Sequence, residues 1–227
     1  MLLQDWMTTQ VISVNSNDSL MHCLNLFKEH RINTMPVVDD AKKVAGIVLS
    51  SDIRSCLTPG TTGIEVLENV NTLNNTRVHE IMNKKPVVIN SKRTVNQAAL
   101  LMSERNVWAL PVVDDNDTLV GFMTEWDVFK ALVTINGSKT AGRIEAAFDI
   151  ENRPGELRRI LDELKLDNLS LQIASIHFSY INDKYQVMMT IWVKDKQVET
   201  QALNAIKSHP GLRYWAYEDE VNLRDIP

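Results

Sequence analysis

The sequence predicts a mixed α/β (α+β) chain in which two β-α-β-β-α repeats pack on each other and are followed by one β-α-β-β-α-β unit. Three observations carry that expectation. A pattern that begins at Met7 returns without a gap 75 residues later. Within each copy, apolar residues recur first at helical and then at strand spacing. Beyond a small, polar stretch at 135–142 the repeat stops and a different alternation takes over.

The repeat is strict: Met7 matches Met82, Asn15-Ser16 matches Asn90-Ser91, and Pro36-Val37-Val38-Asp39-Asp40 matches Pro111-Val112-Val113-Asp114-Asp115. Gly46 matches Gly121, and Asp52 matches Asp127. Each copy opens with a helix whose apolar stripe is Leu20, Cys23, Leu24 and Phe27, or Val95, Ala98, Ala99 and Met102. Asp18 or Ser19, and Ser91 or Thr94, stand where a side-chain oxygen caps the first free amides. A strand follows at Met35–Val38 and Leu110–Val113, then an Asp-rich turn, then a second strand at Val44–Leu49 and Leu119–Met123. A last short helix opens near Asp52 and Asp127. Repeat one spans about 4–57 and repeat two about 79–134, each too small to bury both faces alone. The connector 58–78 begins with the breakers Thr58-Pro59-Gly60-Thr61-Thr62-Gly63 and carries a short helix over Ile64–Leu73.

The stretch 135–142 suits a linker. After it, Arg143–Ile150 reads as a strand, and Pro154-Gly155 breaks the chain before a helix with Leu157, Ile160, Leu161 and Leu164 on one face. Leu169–Tyr180 is a strand whose apolar phase moves from odd to even residues, which predicts a bulge near Ala174-Ser175. Asn182-Asp183 turns the chain into the strict alternation Tyr185, Val187, Met189, Ile191, Val193. Val198, Ala202, Ala205 and Ile206 mark another helix, and a last strand runs about Leu212–Tyr217. The unit at 143–227 is therefore ferredoxin-like.

Composition limits the function. The 227 residues, 44% of them hydrophobic, can fill real cores. A formal charge of −5 gives no chain-wide attraction for polyanions, so nucleic acid and acidic membrane surfaces are disfavoured as partners. Cys23 and Cys56 lack paired ligand spacing and read as small buried apolar residues. The start Met1-Leu2-Leu3-Gln4-Asp5-Trp6 lacks the regions of a signal peptide, and no apolar run reaches membrane-spanning length, so the expectation is a cytoplasmic protein. His22, His30, His79, His177 and His209 are scattered, and no nucleophile elbow is present. Neither an enzyme active site nor a catalytic cofactor is expected. The doublets Asp39-Asp40 and Asp114-Asp115 occupy matched turns, where Asp serves local hydrogen bonding, and no metal is assigned to them.

Thr124 and Asp127 lie three apart at the opening of a helix, where amide groups and the helix dipole favour a phosphate. Thr124 can donate to that phosphate, and Asp127 can accept from ribose hydroxyls. Equally, the pair can simply cap the helix. In the first copy Leu49 replaces the threonine while Asp52 is kept, so either Ser50 substitutes or only one cleft binds. The adenine slot is expected at Val87-Val88 and Ala109-Leu110, with Val11-Ile12 and Thr34-Met35 as first-copy equivalents. Each of these side chains also has a plain role in sheet packing. Trp108 and Trp126 suit packing or an interface better than ligand stacking.

The strings Met35-Pro36-Val37-Val38-Asp39 with Gly46-Ile47-Val48-Leu49-Ser50-Ser51-Asp52, and Leu110-Pro111-Val112-Val113-Asp114 with Gly121-Phe122-Met123-Thr124-Glu125-Trp126-Asp127, resemble a tandem pair of CBS motifs. That resemblance implies one module with two symmetry-related clefts, a tendency to dimerise, and nucleotide contact by Thr124 and Asp127. The turn Asp149-Ile150-Glu151-Asn152-Arg153-Pro154-Gly155-Glu156-Leu157 is similar to that of ACT domains, which implies a small effector, an amino acid for example, at the loop Asn152, Arg153, Pro154 and Gly155. The order of the modules resembles the acetoin-utilisation regulatory (AcuB) family, which implies regulation of acetoin or acetate metabolism. The functional expectation is a homodimeric regulator that binds an adenine nucleotide of the AMP, ADP or ATP class and signals to an unidentified partner protein. The alternatives are a sensor of S-adenosylmethionine, NAD or an amino acid, and a ligand-independent oligomerisation scaffold.

Overall fold

The computed structural model describes residues 1–59, 62–136, 142–164, 171–181, 184–217 and 220–223. The chain divides into two compact units, Met1–Ala131 and Leu132–Pro227.

In the first unit each repeat builds its own three-stranded sheet. β1 (Val14–Asn15) pairs parallel to β2 (Thr34–Val38), which pairs antiparallel to β3 (Val44–Leu49). α1 (Leu20–His30) connects β1 to β2, and α2 (Ser50–Ser55) follows β3. After α3 (Gly63–Asn75) and α4 (Val78–Ile81), the second repeat gives β4 (Ile89–Asn90), α5 (Val95–Arg105), β5 (Ala109–Val113), β6 (Leu119–Thr124) and α6 (Glu125–Ile135). The registers agree residue for residue: Pro36 faces Ile47 as Pro111 faces Phe122.

Local chemistry explains these limits. The Ser19 hydroxyl accepts from the His22 amide at 3.2 Å, and Thr94 and Gln97 form a reciprocal box at 3.2 and 3.0 Å. Ser19 and Thr94 are thus the caps, whereas Asp18 accepts from the Asn15 amide. The matched helices α1 and α5 both stop on a left-handed residue, Arg31 (φ 53°) and Asn106 (φ 51°). Asp39 Oδ1 accepts from the amides of Ala41 and Lys43, and Asp114 Oδ1 from those of Asn116 and Thr118. These donors, Thr118 foremost, hold the Asp114 carboxyl below its usual range. Asp40 and Asp115 accept from Asn15 and Asn90, tying each turn to the first strand of its repeat.

The repeats interlock by exchanging their leading segments. Leu3, in a 3-10 turn, is wholly buried with Leu110 and Met123 of the second repeat, while Val78 of α4 is wholly buried with Leu20 and Ile53 of the first. Thr8 and Phe122 exchange both backbone hydrogen bonds at 2.9 Å, and Ile47 and Asn83 do so at 3.1 and 2.9 Å. Two glycines permit this approach: a Cβ on Gly46 would stand 2.6 Å from Met82 Sδ and 2.8 Å from the Asn83 carbonyl, and one on Gly121 would strike Met7 Sδ. The matched Met and Gly positions of the sequence are therefore two ends of one contact, swapped between repeats. Cys23 is buried and its thiol is pushed up to about 12, chiefly by burial, with Asp18 adding to the effect. Cys56 is only half-buried, its Sγ 3.3 Å from the Asp52 carbonyl, because α2 ends beside it.

The second unit runs β7 (Arg143–Ile150), α7 (Glu156–Leu164), β8 (Leu171–Ile181), β9 (Lys184–Val193), α8 (Lys196–Ser208), β10 (Leu212–Tyr217) and β11 (Glu220–Leu223). Its sheet order, β11-β10-β7-β9-β8, is ferredoxin-like with one added edge strand. Alternate residues Ile144, Ala146 and Phe148 of β7 and Val187, Met189, Ile191 and Val193 of β9 meet Ile160, Leu164, Ala202 and Ile206 of the helices in one core. The register shift between Ile173 and Ser175 is the bulge that the change of phase predicts. β11 was not anticipated, because four residues are too few to register as a periodic run. The turn Asn182-Asp183 and most of the linker 135–142 lie outside the described residues. Among the described residues, no helix is long and apolar enough to cross a membrane.

Candidate functional site

A cavity of about 630 Å³ opens in the first unit at the junction of β6 and α6. That size suits a small-molecule ligand. Thr124 and Asp127 of the second repeat line it together with Val11, Ile12 and Thr34 of the first. Ala109, Phe122, Arg31, Asn33 and Lys130 complete the lining that matters here, with Trp108 and Trp126 also bordering it.

Asp127 is the organising side chain. Only 8% of the residue is exposed. Its Oδ2 accepts from the Thr124 amide at 2.9 Å and the Thr124 hydroxyl at 2.8 Å, and its own amide donates to Thr124 Oγ1 at 3.4 Å. The two residues thus cap α6 reciprocally. The Thr124 hydroxyl thus has Asp127 as its acceptor in this structure. The second oxygen, Oδ1, has Lys130 Nζ at 3.4 Å. Hydroxyl donors entering the cavity meet that oxygen, and anionic groups meet Lys130 and the rim residue Arg31.

The expected grouping is corrected in one respect. Thr124 and Asp127 share their cavity with Val11, Ile12 and Thr34 of the other repeat, and of the expected positions Val87, Val88, Ala109 and Leu110 in their own repeat only Ala109 lines it. The exchange of leading segments makes this cleft a cross-repeat structure. Leu110 and Met35 are wholly buried in the two repeat cores and do not line the cavity. Val87 packs on the second core and Val88 is 37% exposed; both precede β4 and neither borders this cavity. At the constant offset of 75, Ile12 corresponds to Val87 and Val11 to Pro86, one residue from the expected pairing.

On the first-repeat side, Asp52 Oδ2 accepts from the Leu49 amide at 2.9 Å, half of the arrangement around Asp127. Ser50 corresponds to Glu125, not to Thr124. It is buried, its amide donates to the Asn33 carbonyl at 2.9 Å and its hydroxyl to Asn33 Oδ1 at 3.5 Å. It therefore does not substitute for the missing threonine hydroxyl.

Arg31, Asn33 and Lys130 were not singled out from the sequence. The only signal the sequence holds for Arg31 is that the matching position 106 is Asn; the structure shows both residues in the left-handed conformation, which Asn tolerates and arginine does not favour. Trp108 and Trp126, 67% and 65% exposed, sit at the rim rather than in a core.

In the second unit the loop Asn152, Arg153, Pro154 and Gly155 is exposed and precedes α7, with Gly155 at φ +92°. The Arg153 Nε donates to Glu156 Oε1 at 2.5 Å, while Arg159 donates to Glu156 Oε2 at 2.6 Å. Glu156 is 4% exposed, and hydrogen bonding from Arg153, then Arg159, holds its carboxyl below the usual range.

Comparison with known proteins follows the repeat. The sequence profile of the CBS domain matches residues 3–59 and 78–134. An uncharacterised protein of Methanocaldococcus jannaschii, MJ1426, is 30% identical over 155 residues, covering 59% of this chain and 92% of that protein. L-Aspartate semialdehyde sulfurtransferase from the same organism is 31% identical over 127 residues, 56% of this chain but only 22% of its own length. Among solved structures, the CBS-pair protein CBSX2 of Arabidopsis thaliana is 26% identical with a TM-score of 0.51, covering 60% of this chain and 96% of that one. A structure described as a putative acetoin utilization protein (AcuB), from Vibrio cholerae, is 22% identical with a TM-score of 0.51, covering 61% and 95%, and shares the fold.

Proposed function

Because this chain belongs to the CBS-domain family, we propose that it is a regulatory sensor that binds an adenine nucleotide of the AMP, ADP or ATP class in the cleft around Thr124 and Asp127. The observation that carries this reading is a buried, helix-capping carboxylate that lines a cavity of ligand size. Asp127 Oδ1 accepts from ribose hydroxyls, Val11 and Ile12 offer the apolar wall for the base, and the phosphate lies toward Arg31, Lys130 and the first amides of α6.

The cleft draws its walls from both repeats, so a ligand there favours whichever packing of the repeats fits it, and a shift follows only from unequal affinity for the two packings. The signal passes to a partner protein, with the chain acting as a homodimer. The order of CBS pair and ACT-like unit supports a setting in acetoin or acetate metabolism. The protein acts as a regulator rather than an enzyme, and its place is the cytoplasm.

A thermal-shift titration with AMP and ATP tests the reading. Ligand at 100 times its Kd adds about 2.7 kcal/mol, enough to raise the midpoint by about 5 to 10 °C. The shift is expected to vanish in Asp127→Ala. No shift with either nucleotide rejects this ligand class and turns the search to S-adenosylmethionine and NAD. A shift with an amino acid that survives Asp127→Ala and is lost on altering Asn152–Gly155 places the sensor in the ACT-like unit.

A further inference from the structure

We infer that Arg31 makes the Thr124–Asp127 cleft selective for a phosphorylated ligand over the corresponding uncharged nucleoside. The inference rests on the nucleotide reading above and adds the residue that sets ligand class within it.

Arg31 combines three properties, the second of which also ends α1. It lines the same cavity as the start of α6. Its backbone is left-handed, at φ 53° and ψ 42°, where side chains other than Asn, Asp and Gly are uncommon. Its guanidinium forms no hydrogen bond or ion pair among the described residues. A residue at some conformational cost, presenting an unmatched cation to a cavity, is arranged for something that enters the cavity. The guanidinium fork matches phosphate oxygens. Lys130 already faces Asp127 at 3.4 Å, which leaves Arg31 to answer a further negative charge.

The pseudo-symmetry supplies an internal control. At the matching positions around Asp52 the chain has Asn106 for Arg31, Leu49 for Thr124 and Ser55 for Lys130. The first-repeat side has lost both cations together with the capping hydroxyl, while its carboxylate is kept. A general need to end the helix is therefore met by asparagine, and the arginine is specific to the cleft that retains the full Thr-Asp cap.

Titration calorimetry of the full chain with AMP and with adenosine tests this on the wild type, Arg31→Asn and Asp127→Ala. Arg31→Asn installs the residue that already holds the same backbone conformation at 106, so its thermal midpoint in the absence of ligand should not fall. Loss of one charge-assisted contact at a rim position should weaken AMP about tenfold and leave adenosine within about twofold. Asp127→Ala should weaken both ligands. Equal loss of AMP and adenosine in Arg31→Asn, or loss of neither, overturns the role of Arg31 while leaving the nucleotide reading standing. Failure of the wild type to bind either ligand overturns that reading, and the inference with it.

Discussion

Gly46→Ala should destabilise the first unit more than Gly121→Ala, although the two glycines occupy the same place in the two repeats. An alanine methyl at 46 would lie 2.6 Å from Met82 Sδ and 2.8 Å from the Asn83 carbonyl oxygen, roughly 1 Å inside the usual 3.5 to 4.0 Å contact distance. The thioether can rotate aside. The carbonyl cannot, because it accepts from the Ile47 amide at 3.1 Å in the bridge that joins the repeats. Overpacking of this kind costs about 1 to 3 kcal/mol, and displacing the carbonyl forfeits a hydrogen bond worth about 1 kcal/mol. The lower entropy of the unfolded chain returns about 0.4 to 1 kcal/mol. The net loss is about 1 to 3.6 kcal/mol. At Gly121 the three nearest atoms all belong to the Met7 side chain, so rotation suffices and the net loss is about 0 to 1 kcal/mol. Urea unfolding of both variants followed by circular dichroism measures the difference, with the second unit as a common background. Equal losses at the two positions, or none at Gly46, would refute the interlocked packing of the leading segments.

Two further outcomes follow from the titrating groups. The Glu156 carboxyl is depressed in the folded chain, by Arg153 first and Arg159 next, so its contribution is present above the unfolded carboxylate pKa of about 4.3 and is lost as pH falls through the lower folded value. Urea midpoints compared at about pH 7 and pH 3 should therefore drop less steeply in Glu156→Gln than in the wild type, and parallel drops would count against the paired carboxylate. For the thiols, burial raises Cys23 to about 12, so under native conditions near pH 8 a thiol reagent should reach Cys56 first and Cys23 only on unfolding. Mass mapping of the labelled peptides checks the order, and early modification of Cys23 would contradict its burial.

Much of the fold was legible because its signals are local. The strict offset between Pro36 and Pro111, the stripe from Leu20 to Phe27 and the change of phase around Ala174 each report one element at a time. What a repeat hides is which copy faces which. Thr124 and Asp127 could be named from the sequence as a cap and a ligand site, and they do meet in one cavity. That Val11 and Ile12, rather than Val87 and Val88, line it with them depends on the exchange of leading segments, and a duplicated sequence reads the same with or without that exchange. Ser50 stands one residue from the position that matches Thr124, and its hydroxyl is 3.5 Å from Asn33 Oδ1, a contact that no sequence offset reports. Arg31 was missed because its importance lies in a backbone conformation and an empty hydrogen-bonding fork, neither of which is a property of sequence pattern.

Titration calorimetry of the full chain with AMP, read for stoichiometry as well as heat, bears on the proposal that the Thr124–Asp127 cleft is a nucleotide site. Saturable binding with one tight site per chain, abolished by Asp127→Ala and retained in Asp52→Ala, is the predicted result. Binding that survives Asp127→Ala unchanged, or no heat with AMP at all, would contradict it.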